Sequence, residues 1–290
     1  MNGRVVVITG ATQGIGKFTA LALAKMGAEV TIVARSAERG QAVVDEIRTT
    51  TANPKIGLLL ADLSLMAEVR RVAGEIQARH PKIDVLVNNA GAINTTRKVT
   101  SEGLELTFST NHLAYFLLTE LLLPQLEAAG TPGRKARIVN VASNAHKRAK
   151  LDMDDLQLER GFAAFRAYSN SKVCNLLFTF ELARRLAGKN VVVNCLHPGV
   201  VATGFGRNDR SLLHLGIMIA APFFLTPEKG AQTSIHLASA PEVEGVTGLY
   251  FSRKKPARST RTSLNEALAR QLWEKSEALV AATKRDRQTA

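Results

Sequence analysis

Thr9-Gly10-Ala11-Thr12-Gln13-Gly14-Ile15-Gly16 follows the apolar run Val5-Val6-Val7-Ile8 and opens a helix-like stretch over residues 15–26. Glycines at these places let the chain turn sharply and let backbone N–H groups approach a phosphate. The next helix turns its positive end toward the same point. The spacing is GxxxGxG rather than GxGxxG, and no Lys-Ser or Lys-Thr closes it as in a P-loop, which argues against nucleotide hydrolysis. The alternative is a glycine-rich turn without a ligand. Its place between a first strand and a first helix favours a dinucleotide pyrophosphate.

Outward from this turn, short β-branched runs alternate with long helical patterns. The strand candidates are residues 4–9, 29–34, 55–60, 85–88, 137–142, 191–196 and 249–251. Several are apolar throughout, as strands buried on both faces should be. Helical patterns occupy residues 15–26, 37–49, 64–79, 104–128 and 165–187. This alternation predicts right-handed βαβ units in one α/β domain over residues 1–290, a Rossmann-type doubly wound sheet of about seven mostly parallel strands with helices on both faces. A cofactor half is expected over about 1–145, a catalytic and substrate half over about 146–262, and a basic C-terminal helix over about 263–284.

Composition agrees with a globular chain: 46% hydrophobic and 22% charged residues exclude disorder and low-complexity architecture. Cys174 and Cys195 stand apart with no zinc or CxxC spacing, and His112, His146 and His197 lack ligand spacing, so no metal is expected. The apolar runs at 5–8 and 212–225 are too short to span a bilayer; a reduced, cytoplasmic protein is the expectation. The net charge of +13 invites nucleic acid, an anionic membrane or an anionic ligand. Local clusters lie at 134–137, 147–150 and 253–261, without a nucleic-acid motif. No nucleic-acid partner is expected, whereas peripheral membrane contact stays open.

The tip of the second strand reads Val33-Ala34-Arg35-Ser36. A carboxylate there would bond the ribose hydroxyls of NAD; a cation suits the extra phosphate of NADP. Arg35 is the candidate clamp, with Ser36 as a further donor, and NADP(H) is preferred over NAD(H). A solvated Arg35 and a helix-capping Ser36 are the alternative.

Tyr168 and Lys172 stand four residues apart on one predicted helix, and Ser143 follows the fifth strand. Together with the 9–16 turn, Asp62-Leu63, Asn88-Asn89-Ala90-Gly91, Asn111, Pro198-Gly199 and Thr203, in that order, the chain resembles a classical short-chain dehydrogenase/reductase. Glu102-Gly103-Leu104-Glu105, Thr110-Asn111-His112-Leu113, Lys172-Val173-Cys174-Asn175 and His197-Pro198-Gly199 resemble the branch of retinol dehydrogenases, WW-domain oxidoreductases and, more distantly, protochlorophyllide reductases.

The resemblance implies a catalytic set of Asn111, Ser143, Tyr168 and Lys172. Reducing a carbonyl needs a hydride to carbon and a proton to oxygen. Tyr168 would move the proton, and Ser143 would bond the substrate oxygen. A free tyrosine is a poor base near neutrality; one charge about 4 Å away is worth about 4 kcal/mol, or about three pKa units, before desolvation opposes it. Lys172 would supply that charge and bind the nicotinamide ribose, and Asn111 would hold a relay water. The implied cofactor contacts are Gly10, Thr12, Gln13, Gly14, Ile15, Gly16, Arg35, Ser36, Asp62 and Leu63 at the adenosine end. Asn89, Ala90 and Gly91 come next, then Tyr168, Lys172, Pro198, Gly199, Val201 and Thr203 at the nicotinamide end.

The expected substrate is a fairly bulky, apolar carbonyl or alcohol, with residues 203–226 as pocket wall or lid; an ordinary core helix or shallow membrane contact are the alternatives. A sensor or scaffold that binds NADP(H) without important turnover is the competing reading. Relatives that pair through their long helices make a homo-dimer or tetramer an expectation.

Overall fold

The computed structural model describes residues 1–199 and 225–285. One sheet of eight strands runs in the order β3-β2-β1-β4-β5-β6-β7-β8. The strands are β1 (Val5–Thr9), β2 (Glu29–Ala34), β3 (Ile56–Leu60), β4 (Val85–Asn88), β5 (Ala136–Val141), β6 (Val191–His197), β7 (Tyr250–Ser252) and β8 (Lys255–Pro256). All adjacent pairs are parallel except β7 with β8. The eighth strand exceeds the expected seven. It is a two-residue antiparallel edge containing Pro256, too short to leave a periodic signal.

β4 to β6 are buried along their whole length, as their apolar sequences require. On one face lie α1 (Gly14–Lys25) and α2 (Ala37–Thr51), over a core of Val6, Ile8, Val30, Ile32, Val85 and Val87. On the other lie α3 (Met66–Arg79), α5 (Ala114–Ala129) and α6 (Ala164–Arg185), around Val7, Leu86, Tyr115, Phe116, Val173 and Phe178.

The pattern over 104–128 is not one regular helix. A single α-turn, α4 (Leu106–Phe108), leads into a π turn (Ser109–Leu113) and only then into α5. α3 begins two residues later than expected, because the carboxylate of Asp62 holds the Ser64 main-chain N–H and hydroxyl in a turn. Glu102 then caps α3 by accepting from the N–H groups of Met66 and Ala67.

After β6, α7 (Pro227–Ser239) packs against α1. α8 (Glu266–Arg285) lies on α6, with a 3₁₀ turn (Thr262–Leu264) before it. Trp273 of α8 covers Phe116 and Phe178, ring centroids 5.0 and 5.8 Å away, and the Arg185 guanidinium stacks on it at 4.0 Å. The seam between α5 and α6 is thus filled within the chain.

Candidate active site

The strand order reverses between β1 and β4, and ligands of open α/β sheets bind beyond the carboxyl ends of the strands at that point. A cleft of about 590 Å³ opens there. Its first wall is the 9–16 turn. Gly10 has φ +66°, and a Cβ on it would stand 2.7 Å from the Ala90 Cα. A Cβ on Gly16 would stand 2.5 Å from the Asn89 amide nitrogen. Only glycine allows β1 and β4 to end this close together. Asn89 joins them, its amide donating to the Thr9 and Gly10 carbonyls at 2.9 Å each.

Arg35 and Ser36 line the cleft where β2 ends. Ser36 also caps α2, accepting from the Arg39 N–H at 3.3 Å. The first turn of α2 brings Arg39 to the same end of the cleft, a second exposed cation that the sequence reading missed. Asp62 and Leu63 line the adjoining wall; Asp62 Oδ1 serves Ser64, which leaves its other oxygen for a ligand. Lys17, at the start of α1, pairs with Glu46 at 2.6 Å.

Asn89, Ala90 and Gly91 line the middle of the cleft, whereas Asn88 does not. Asn88 is fully buried and donates to Thr119 and Asn140, and Asn140 donates to Thr179. This ladder ties β4 and β5 to the helices beneath them.

The catalytic candidates converge at the far end. Lys172 is 3% exposed and donates to the Val141 carbonyl at 3.0 Å. Its Nζ lies 5.5 Å from the Tyr168 ring centroid and 5.8 Å from that of Tyr115. The Ser143 side chain hydrogen-bonds with Tyr168. Asn111 lies in the π turn, and its side chain is consumed at once: Oδ1 accepts from Ala92 N–H at 2.8 Å, and Nδ2 donates to Ala92 O and Ser171 Oγ. A Cβ on Gly91 would touch both Asn111 Oδ1 (3.3 Å) and Lys172 Nζ (3.5 Å), so Gly91 holds the space between them. With its side chain committed, Asn111 has only its main chain to offer a relay, and a π turn is where main-chain groups leave the regular ladder.

Electrostatics differ from the expectation in one respect. Burial raises the Tyr168 phenol above its ordinary value, with the Ser143 hydrogen bond opposing, and burial lowers Lys172 to about 7. Enclosure outweighs the attraction that was expected to favour tyrosinate.

Pro198 lines the cleft; Gly199 does not, and Val201 and Thr203 lie outside the described residues, as does most of the apolar stretch 212–225. His112 is core, buried against Phe108 and Phe178 and bonded to Ser276 of α8. Among the described residues no His, Cys, Asp or Glu cluster could hold a metal. Cys174 and Cys195 are free and buried, and burial pushes both thiols up, Cys195 to about 12.

The turn, the glycine cradle, Tyr168 and Lys172 line one groove, with Ser143 bonded to Tyr168. Residues 4–212 match the short chain dehydrogenase family, and the chain belongs to it as an oxidoreductase. Within that family it stands in the retinol dehydrogenase branch. It is 39% identical to human retinol dehydrogenase 14 over 97% of this chain and 87% of that protein. It is also 39% identical to human polyprenol dehydrogenase, over 94% and 84%. A solved Pseudomonas aeruginosa RhlG/NADP active-site complex superposes with a TM-score of 0.70 at 26% identity, covering 97% of that chain and 93% of this one.

Proposed function

We propose that this enzyme interconverts an aldehyde or ketone and an alcohol on a bulky apolar substrate, with NADP(H) preferred over NAD(H). The observation that carries the reading is that Lys172 and Tyr168, the latter hydrogen-bonded to Ser143, line one end of a groove whose other end holds Arg35 and Arg39. The bound nicotinamide supplies or accepts the hydride. Tyr168 gives the proton to the substrate oxygen in reduction and takes it in oxidation, Ser143 orients that oxygen, and Lys172 holds positive charge beside the phenol. Arg35 and Arg39 would clamp the phosphate that distinguishes NADP, with no Asp or Glu at 34–36 to compete. Two relatives named for long isoprenoid alcohols point to substrates of that chemistry. Two buried free thiols are consistent with a reducing, cytoplasmic setting.

The test is turnover of NADPH and NADH with carbonyl compounds graded from small to isoprenoid-sized. Tyr168→Phe is expected to lose about 10²–10⁴-fold in turnover while keeping NADPH binding. Arg35→Glu with Arg39→Glu is expected to weaken NADPH by roughly 10–100-fold and NADH far less. Undiminished turnover in Tyr168→Phe would overturn the reading and return weight to a binding role.

A further inference from the structure

Two basic clusters of the sequence have no part in the chemistry above, and the fold brings them together. β7 and β8 form a hairpin at the catalytic edge, where β5 ends at Val141, two residues before Ser143, and β6 at His197. Its tip is Arg253-Lys254, with φ of +52° and +64°. Left-handed pairs at hairpin tips ordinarily fall to Asn and Gly; here two cations hold the strained conformation and are exposed. The other cluster, Lys147, Arg148 and Lys150, follows Ser143. Tyr250 joins the two, its hydroxyl donating to Asn144 at 2.8 Å and its ring lying 5.0 Å from His146. Burial first, then His146, Lys147 and Arg253, hold the His197 imidazole down to about 4, so both clusters border one residue.

Residues 245–265 contain five cations and no carboxylate. Those five, with Lys147, Arg148 and Lys150, are exposed, and among the described residues none forms an ion pair. The acids of the neighbouring loop are spent elsewhere: Asp152 and Asp155 face Arg160, and Asp154 faces Lys275. Leu264, three residues after Arg261, also stands exposed.

We propose that this edge docks on an anionic phospholipid surface, presenting the substrate end of the cleft to the bilayer. The choice of occupant rests on the apolar substrate proposed above. Unpaired cations at the end of the cleft where an apolar substrate would enter suit an anionic headgroup layer over an acyl interior, whereas a nucleic-acid backbone has no use for that substrate.

The test is co-sedimentation of the whole chain with vesicles of phosphatidylcholine, alone or with about 30% phosphatidylserine. Wild type is expected on the anionic vesicles only. Arg253→Glu/Lys254→Glu/Lys255→Glu should lower that partition by at least about tenfold. Lys25→Glu/Lys55→Glu/Lys82→Glu, with the same charge change at the opposite edge of the sheet, should lower it by less than about threefold. Both should keep NADPH binding. Should the hairpin variant misfold, Lys147→Glu/Arg148→Glu/Lys150→Glu carries the same expectation. No binding to anionic vesicles, equal loss in both triple variants, or tighter binding to a DNA duplex at the same salt overturns the proposal. Vesicle binding is read without substrate, so edge-dependent docking with no turnover of apolar alcohols counts against the reaction and not the surface.

Discussion

Lys172 is nearly sealed from solvent, with one carbonyl accepting from its ammonium and two phenol rings beside it. Burial lowers its pKa from 10.5 to about 7. Between those values the unfolded chain holds a proton that the folded one has released, so stability of the ligand-free protein rises with pH through that window. Lys172→Met removes the burden: it should stabilise the ligand-free fold by roughly 1–2 kcal/mol while abolishing turnover. A lower melting temperature in that variant would show that the ammonium is well compensated. In the wild type, kcat/KM for reduction should fall above about pH 7 as the ammonium is lost, and Tyr115→Leu should move that limb to lower pH by removing a ring face. Tyr168 and Lys172 were legible because their spacing and order carry meaning. Tyr115 was not: a phenol inside Ala114-Tyr115-Phe116-Leu117-Leu118 reads like core. Arg39 escaped because only the wrapped first turn of α2 brings it back to Arg35.

At the scale of elements, the parallel strands were legible from continuous apolar runs. What hydropathy could not show was any device lacking a period. The π turn before α5 keeps the same buried face as a helix would, so nothing in the pattern marks it. The tail was legible as an amphipathic helix, but its partner was not, since the pattern says which residues seek cover and not where. Trp273 finds it on Phe116 and Phe178, and its indole N–H donates to Glu277 at 2.9 Å. Trp273→Ala should cost about 3–5 kcal/mol, against less than about 0.5 for the exposed Glu274→Ala. Chemical denaturation measures both; equal effects would mean that α8 rests on the body without supporting it.

Across the whole molecule, the halves expected on either side of residue 145 are one body. β5 and β6 pair residue for residue from Ala136↔Val191 to Val141↔Leu196. The groove takes its turn, its two arginines and Gly91 from the first half, and Tyr168, Lys172 and Pro198 from the second. A dinucleotide at a hundredfold excess over its Kd would add about 2.7 kcal/mol to global stability. For a chain of this size that is a melting shift of roughly 5 °C, larger with NADPH than with NADH at equal concentration. A larger shift with NADH would reverse the proposed preference. The same linkage reaches beyond catalysis: a protease that cuts only the transiently opened chain meets fewer substrates when the groove is filled. The lifetime of the protein should therefore follow the nucleotide pool, lengthening when NADP(H) is plentiful and shortening when it drains.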